Sequence, residues 1–568
     1  MRRRKVGAPS SPMRHHAAMA TGKILCSLCV VSATGLLLAS PAWAATLTVG
    51  PGQTYATPCA AIAAASPGDT VAVSPAPSAY TDSCEVNVAS LTIQGVGGQP
   101  KVDLSGTQDP ADDKGIYVIN ASNVTIDNME LTGANVDLNN GLNGAALRVQ
   151  GDGVTVTNCY IHGNQDGILA TPAAPGYSLT VEYTQFDGNG LGAGCDNGGC
   201  THNIYLGANN GVVFQTFLFA FNWSHDIASD TADKGHLLKT RAQNNYILYN
   251  ALLGETGHDS IELDIPNGGL SVVVGNVLEK GPSSDDNPNV LSYGEEGLSN
   301  PVAQLYVVNN TFVSDYSSSV TFITVASGGT LTAHNNLFNG AGTPSSTGSL
   351  SADNLSPSNP LFADPTTYDF HLQSGSPAIG QGVAPGGAGA FSLTPVFEYV
   401  QPIESVPRAM GSTLDVGAFQ YGTVLTGAGQ TNMIMIDQDG GVPATDAGPA
   451  TDAASTAGDA GATSSMDSGM SGMAEGGATI GDGGAEPSGS DGGKAAAPTK
   501  GGCQCDGGGS SSTSGPLWLA SALIIQALVR RRRRTAVALS SRFSGASAEA
   551  STATPPPGLG VQRSARGS

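Results

Sequence analysis

Charge is what this chain has least of. Only 12% of its 568 residues are charged, and 46 Asp and Glu outweigh 24 Lys and Arg, for a net charge of −22 and a pI near 4.6. Without a basic excess there is no cationic surface for phosphates, which excludes nucleic acid as a partner. Outside the first 44 residues there is no Cys-x-x-Cys pair, which argues against a cysteine metal site. No Ser-His-Asp arrangement and no Gly-rich phosphate loop has the strand–helix context it would need. The two apolar runs, Ile24–Ala39 and Pro516–Val529, are short for a membrane span. What remains is a chain with 77 glycines, rich in Ser, Thr and Asn, a composition nearer to exported β proteins than to cytosolic helical enzymes.

Residues 1–44 read as a signal peptide. Arg2, Arg3, Arg4 and Lys5 precede the first apolar run, and Ala42-Trp43-Ala44 is an A-x-A cleavage site. Export places the remaining cysteines in an oxidising compartment. Cys59 and Cys84 bracket the first mature segment and are expected to pair. Cys195 and Cys200 enclose the tight loop DNGG and form a second candidate bridge. Cys159, inside a strand pattern, is expected to be a buried free thiol.

From residue 45 to 422 the dominant signal is repetition. The pattern apolar at x, x+2 and often x+4, then again at x+7, appears as VTIDNMEL, VTVTNCYI, LTVEYTQF, FLFAFNWS, SVVVGNVL, LYVVNNTF and LTAHNNLF, with NYILYNAL as a looser copy. The copies end at Leu131, Ile161, Phe186, Ser224, Leu252, Leu278, Phe312 and Phe338, a varying period that suits a solenoid with loop insertions. Asn222, Asn250, Asn276, Asn310 and Asn336 each fall two residues before those ends, in register for a hydrogen-bonded ladder between coils. Between the copies lies a second strand type: GIYVI, AALRV, DGILA, HNIYL, HLLKTR, SIELDI, NVLSY and VTFITV.

With its helix-like Cys59–Ala65 run near the start and its closing passages NPLFADPTTYDFHLQSGSPAIGQG and DVGAFQYG, this stretch resembles the pectate-lyase-like right-handed parallel β-helix family. The resemblance implies an all-β fold, a single-stranded parallel β-helix solenoid with a helical N-terminal cap. It also implies a carbohydrate-active or carbohydrate-binding protein.

Residues 423–502 lose all periodicity and read as an acidic, flexible linker of Gly, Ala, Ser, Thr, Asp and Pro. Residues 503–534 combine Cys503 and Cys505, the short apolar helix Pro516–Val529 and the cluster Arg530–Arg534, and they resemble the C-terminal sorting tail of myxobacterial surface proteins. That resemblance implies a lipid anchor on Cys503 or Cys505, contact with the membrane through the tail, and a place on the outside of a Gram-negative cell. A tail over 535–568 follows, where such signals usually stop near the arginines. A monomer is expected.

Polar residues pile up between Thr201 and Gly297. Anchoring the second-type strands on Ile204, Leu238, Ile261 and Leu291 puts Tyr205, Lys239, Glu262 and Ser292 in one outward column, with Arg241 and Asp264 in the next. Lys239 is then expected beside Glu262 and Arg241 beside Asp264, rimmed by His202 and His236. Three readings compete. In a polysaccharide lyase, Arg241, or calcium held by Glu262, Asp264 and Glu295, would neutralise an acidic-glycan carboxylate, and Lys239, His236, His202 or Tyr205 would move the proton. In a glycoside hydrolase, Glu262 or Glu295 with Asp264 would supply two carboxylates, against which the basic neighbours count. In the third reading the charges are a structural ladder on a non-catalytic, glycan-binding surface module.

Overall fold

The computed structural model describes residues 44–106, 110–191, 201–228, 235–285, 287–409, 411, 413–432, 434 and 436. All but the last residue of the signal peptide, the Cys195–Cys200 loop, the tail cysteines Cys503 and Cys505, and all but the first residues of the linker lie outside them.

Each repeat is one coil of a right-handed parallel β-helix, and the coils stack into three parallel sheets of eleven, nine and ten strands. The x to x+7 template turns out to span two strands on two sheets. In one coil Thr216–Ala220 lies in the first sheet, Trp223–Ile227 in the second and Leu238–Thr240 in the third. The corner between the first two sheets needs one left-handed residue. Phe221 (φ 58°), Tyr249 (φ 57°), Gly275 (φ 73°), Asn309 (φ 52°) and Asn335 (φ 56°) supply it, each just before a ladder Asn. The rings of Tyr183, Phe221 and Tyr249 stack on this corner, with centroids 4.8 and 5.5 Å apart.

The predicted ladder forms. Asn222, Asn250, Asn276 and Asn310 each donate from Nδ2 to Oδ1 of the next Asn, at 2.9–3.1 Å, and the run continues through Asn336 to Asn354. Each Nδ2 also reaches a strand carbonyl, such as Ile247 O at 2.8 Å from Asn276. Buried donors and acceptors at the corner are thereby satisfied by side chains that repeat with the coil.

The apolar inward residues of all three sheets form one core from Leu47 to Phe338. Its N-terminal end is closed by the helix Pro58–Ala64, which buries Ala61 and Ile62 and whose N-cap Thr57 accepts from Ala60 N–H. The Cys59–Cys84 disulfide ties this cap down, with Cα atoms 5.8 Å apart. Cys159 is a buried free thiol, as expected, but it sits at a corner rather than in a strand, at the place that Asn takes in later coils. Burial pushes its pKa up to about 12.

Beyond the last coil the chain turns back along the solenoid. Ala388, Phe391 and Leu393 cover Leu218, Tyr246 and Val272 on the outside of the first sheet. Phe362, Phe370, Tyr399 and Phe419 cover Leu253, Val277 and Val313 on the second. The packed region runs past the expected boundary at residue 422: Thr423 Oγ1 donates to Glu398, and Tyr183 Oη donates to Asn432 O. The closing segment thus packs its apolar side chains on the outer faces of the first two sheets. The polar stripe of the sequence belongs to the third.

Candidate functional site on the third sheet

Tyr205 pairs with Lys239, Lys239 with Asp264, and Asp264 with Ser292, so these four form one outward column. This corrects the expected register by two residues. SIELDI is anchored on Leu263, not Ile261, and Lys239 sits beside Asp264 (Nζ to Oδ2, 3.0 Å) rather than beside Glu262. Glu262 instead precedes the strand and points inward. Its Oε1 lies 3.3 Å from Nζ of Lys280, a fully buried lysine that also donates to Ser260 O at 2.9 Å and faces Asp259 at 3.8 Å. Burial raises the Glu262 pKa well above the carboxylate range against the pull of Lys280.

Arg241 follows Lys239 by two residues, outward again, but Pro266 stands where Asp264 was expected. Its guanidinium is held from three sides: Nε donates to Tyr205 Oη (2.9 Å), Nη1 to Asn267 Oδ1 (2.6 Å), and Nη2 meets Glu296 Oε2 (2.7 Å). Glu296 Oε1 meets Lys239 Nζ at 2.9 Å, so one carboxylate bridges both cations. Burial works against both charges, but Asp264 and Glu296 outweigh it for Lys239, as Tyr205 and Glu296 do for Arg241, and both pKa values are raised. A lysine held this firmly as its ammonium is unsuited to act as a base.

His202 and His236 stack at one edge, centroids 4.9 Å apart, and the His202 ring meets Tyr205 edge-on at 5.1 Å. His236 N–H donates to His202 Nδ1, which places the proton of the neutral His202 ring on Nε2. His202 N–H in turn donates to Asp166. Burial holds both histidine pKa values well below the usual range, so both are neutral near pH 7. The site therefore joins five residues expected to do chemistry (Lys239, Arg241, His236, His202, Tyr205) with Asp264 and Glu296.

The carboxylates expected to hold calcium do not converge. Glu262 is on Lys280, Asp264 on Lys239, and Glu295 accepts from Asn289 Nδ2 at 2.9 Å, its pKa raised by burial and then by Asp264. Among the described residues, the group of three whose ligand atoms lie within 4.8 Å of one another is Asp187, His225 and Asp226, on the second sheet. With two cations in the third-sheet patch, these residues do not fit a calcium site there. Asn267, Asp166 and Lys280 were not anticipated as partners. Asn267 reads as a turn residue in PNGG, whereas matching DGILA to HNIYL in register would have set Asp166 beside His202.

The second-sheet group has neighbours of its own. His225 lies 3.6 Å from Glu255, whose backbone N–H donates to Glu279. Burial raises Glu255 to about 7 and Glu279 to about 8, from 4.5. Carboxyls with raised native pKa values stabilise the fold fully below the unfolded value and lose that contribution as pH rises through the native one. The buried histidines act in the opposite sense only up to about pH 6.5, their unfolded value. Stability should therefore fall by about 1–3 kcal/mol between pH 6.5 and 8.5. Urea melts at the two pH values measure this, and Glu279→Gln should flatten the difference.

An outward charged column on one sheet of a parallel β-helix is thus the setting of the site. A family model described as a right handed beta helix region matches residues 80–252. The solved structures similar to this chain include that of pectate lyase Pel9A, at 15% identity over 66% of this chain and 96% of that one, with a TM-score of 0.40. A pectin methylesterase from Aspergillus niger is 14% identical over 56% of this chain and 89% of that one, TM-score 0.26. One from Yersinia enterocolitica is 11% identical over 55% and 98%, TM-score 0.29. No curated protein matches the sequence.

Proposed function

We propose that this chain is an exported, surface-held β-helix protein that cleaves acidic polysaccharides by β-elimination at the third-sheet patch. One observation carries the reading: Arg241 donates from Nε to the Tyr205 oxygen and, with Lys239, forms a pair of cations bridged by one carboxylate. A guanidinium on a phenol oxygen favours the phenolate, and two cations on a sugar carboxylate favour the carbanion formed next to it. Tyr205 takes the proton from the carbon adjacent to that carboxylate. The electron pair forms the carbon–carbon double bond, the bond to the leaving sugar oxygen breaks, and the phenol returns the proton to that oxygen. His202 packs against the Tyr205 ring and orients it.

Lys239 and Arg241 already have their charges met by Asp264 and Glu296, which favours a second reading, a glycan-binding surface module without turnover. Purified protein incubated with polygalacturonate, alginate and glycosaminoglycans, with and without calcium, separates the two. Absorbance from unsaturated uronate ends is expected on at least one polymer. Retention of a polymer with no new ends would leave the binding module.

A further inference from the structure

The Lys239–Arg241 pair is filled from an unusual direction. Asp264 reaches Lys239 from the neighbouring strand of the sheet, in fixed register. Glu296 instead comes from the turn after Tyr293, between Gly294 (φ 83°) and Gly297 (φ 107°). Its carboxylate gives one oxygen to Lys239 Nζ and the other to Arg241 Nη2, at 2.9 and 2.7 Å. A carboxylate on an acidic sugar would make the same two contacts.

The cations keep their places without it. Lys239 retains Asp264, and Arg241 retains Tyr205 and Asn267. Glu296 is also the most open member of the cluster, with 26% of its side chain exposed against 9% for Lys239 and 10% for Arg241. Its departure would uncover a clamp whose shape is already set.

We propose that Glu296 is an internal stand-in for the carboxylate of an acidic glycan: it occupies the clamp in the free protein and is displaced when a uronate binds. This rests on the acidic-glycan reading and adds the carboxylate subsite and its built-in competitor. A clamp closed most of the time weakens apparent affinity in proportion to the fraction open. Removing the competitor should therefore tighten binding while a neutral glycan is unaffected.

The test is calorimetric titration of the full chain, and of its Glu296→Ala and Glu296→Gln variants, with oligomers of galacturonate, of alginate and of unsulfated glycosaminoglycan. A neutral oligosaccharide is the control, and thermal melts report folding. Glu296→Ala is expected to bind an acidic oligomer about tenfold or more tighter than the unaltered chain, with Glu296→Gln between them, and adding Arg241→Ala to Glu296→Ala should abolish the gain. Equal affinities in the unaltered chain and Glu296→Ala would overturn the displacement and leave the acidic-glycan reading standing. Weaker binding by Glu296→Ala would make Glu296 a positioning residue and likewise overturn it. Binding of no acidic oligomer by any of the proteins would overturn both.

Discussion

Tyr205→Phe is expected to lower the rate of unsaturated-end formation by about 10²–10⁴-fold, the usual worth of a positioned proton-transfer group. The substitution removes one oxygen, the acceptor of the Arg241 Nε hydrogen bond. Tyr205 packs with Ala145 and Leu169 on the outside of the third sheet, and Phe keeps that packing. The effect should therefore fall on turnover far more than on stability, and substrate affinity should change little because Lys239 keeps Asp264 and Arg241 keeps Asn267. Single-turnover kinetics alongside thermal melts make the comparison. A loss of rate matched by a loss of fold would point to a structural tyrosine, and an unchanged rate would remove it from the chemistry.

Lys280→Met is expected to destabilise the fold by about 3–5 kcal/mol, because it leaves buried acids without their cation. Lys280, Glu262 and Asp259 are all fully buried, and the ammonium also satisfies the Ser260 carbonyl. Burial opposes the Lys280 charge, yet Glu262 and Asp259 outweigh it and raise its pKa. A methionine nearly preserves the volume, so the cost is electrostatic rather than a cavity. Adding Glu262→Gln should recover part of the loss, since one of the two acids left facing no cation is then removed, and urea unfolding of the single and double variants measures the coupling. Equal and additive losses would show that the pair does not act together.

Lys280 also explains where sequence reasoning went astray. SIELDI offers three apolar anchors of the same parity, Ile261, Leu263 and Ile265, and pattern alone has no preference among them. The choice is made by a lysine on another sheet, which draws Glu262 inward and leaves Asp264 to meet Lys239. The Asn ladder was legible because its hydrogen bonds demand the same residue at the same place in each of the five coils from Asn222 to Asn336. That the x to x+7 template covers two sheets was hidden in one left-handed residue, a role that Phe221 and Tyr249 fill without a compositional signal. Polar density did locate the patch, and the residue types expected to do chemistry converge there. Glu296, from the turn in YGEEG, is the residue that closes it.

The most direct test of the account is cleavage of a defined acidic oligosaccharide in heavy-oxygen water, with products weighed by mass spectrometry. Elimination at the Tyr205–Arg241 centre predicts new non-reducing ends lighter by one water and no uptake of heavy oxygen. Heavy oxygen in the new reducing ends, without unsaturation, would mean hydrolysis and would contradict the assignment of the third-sheet patch.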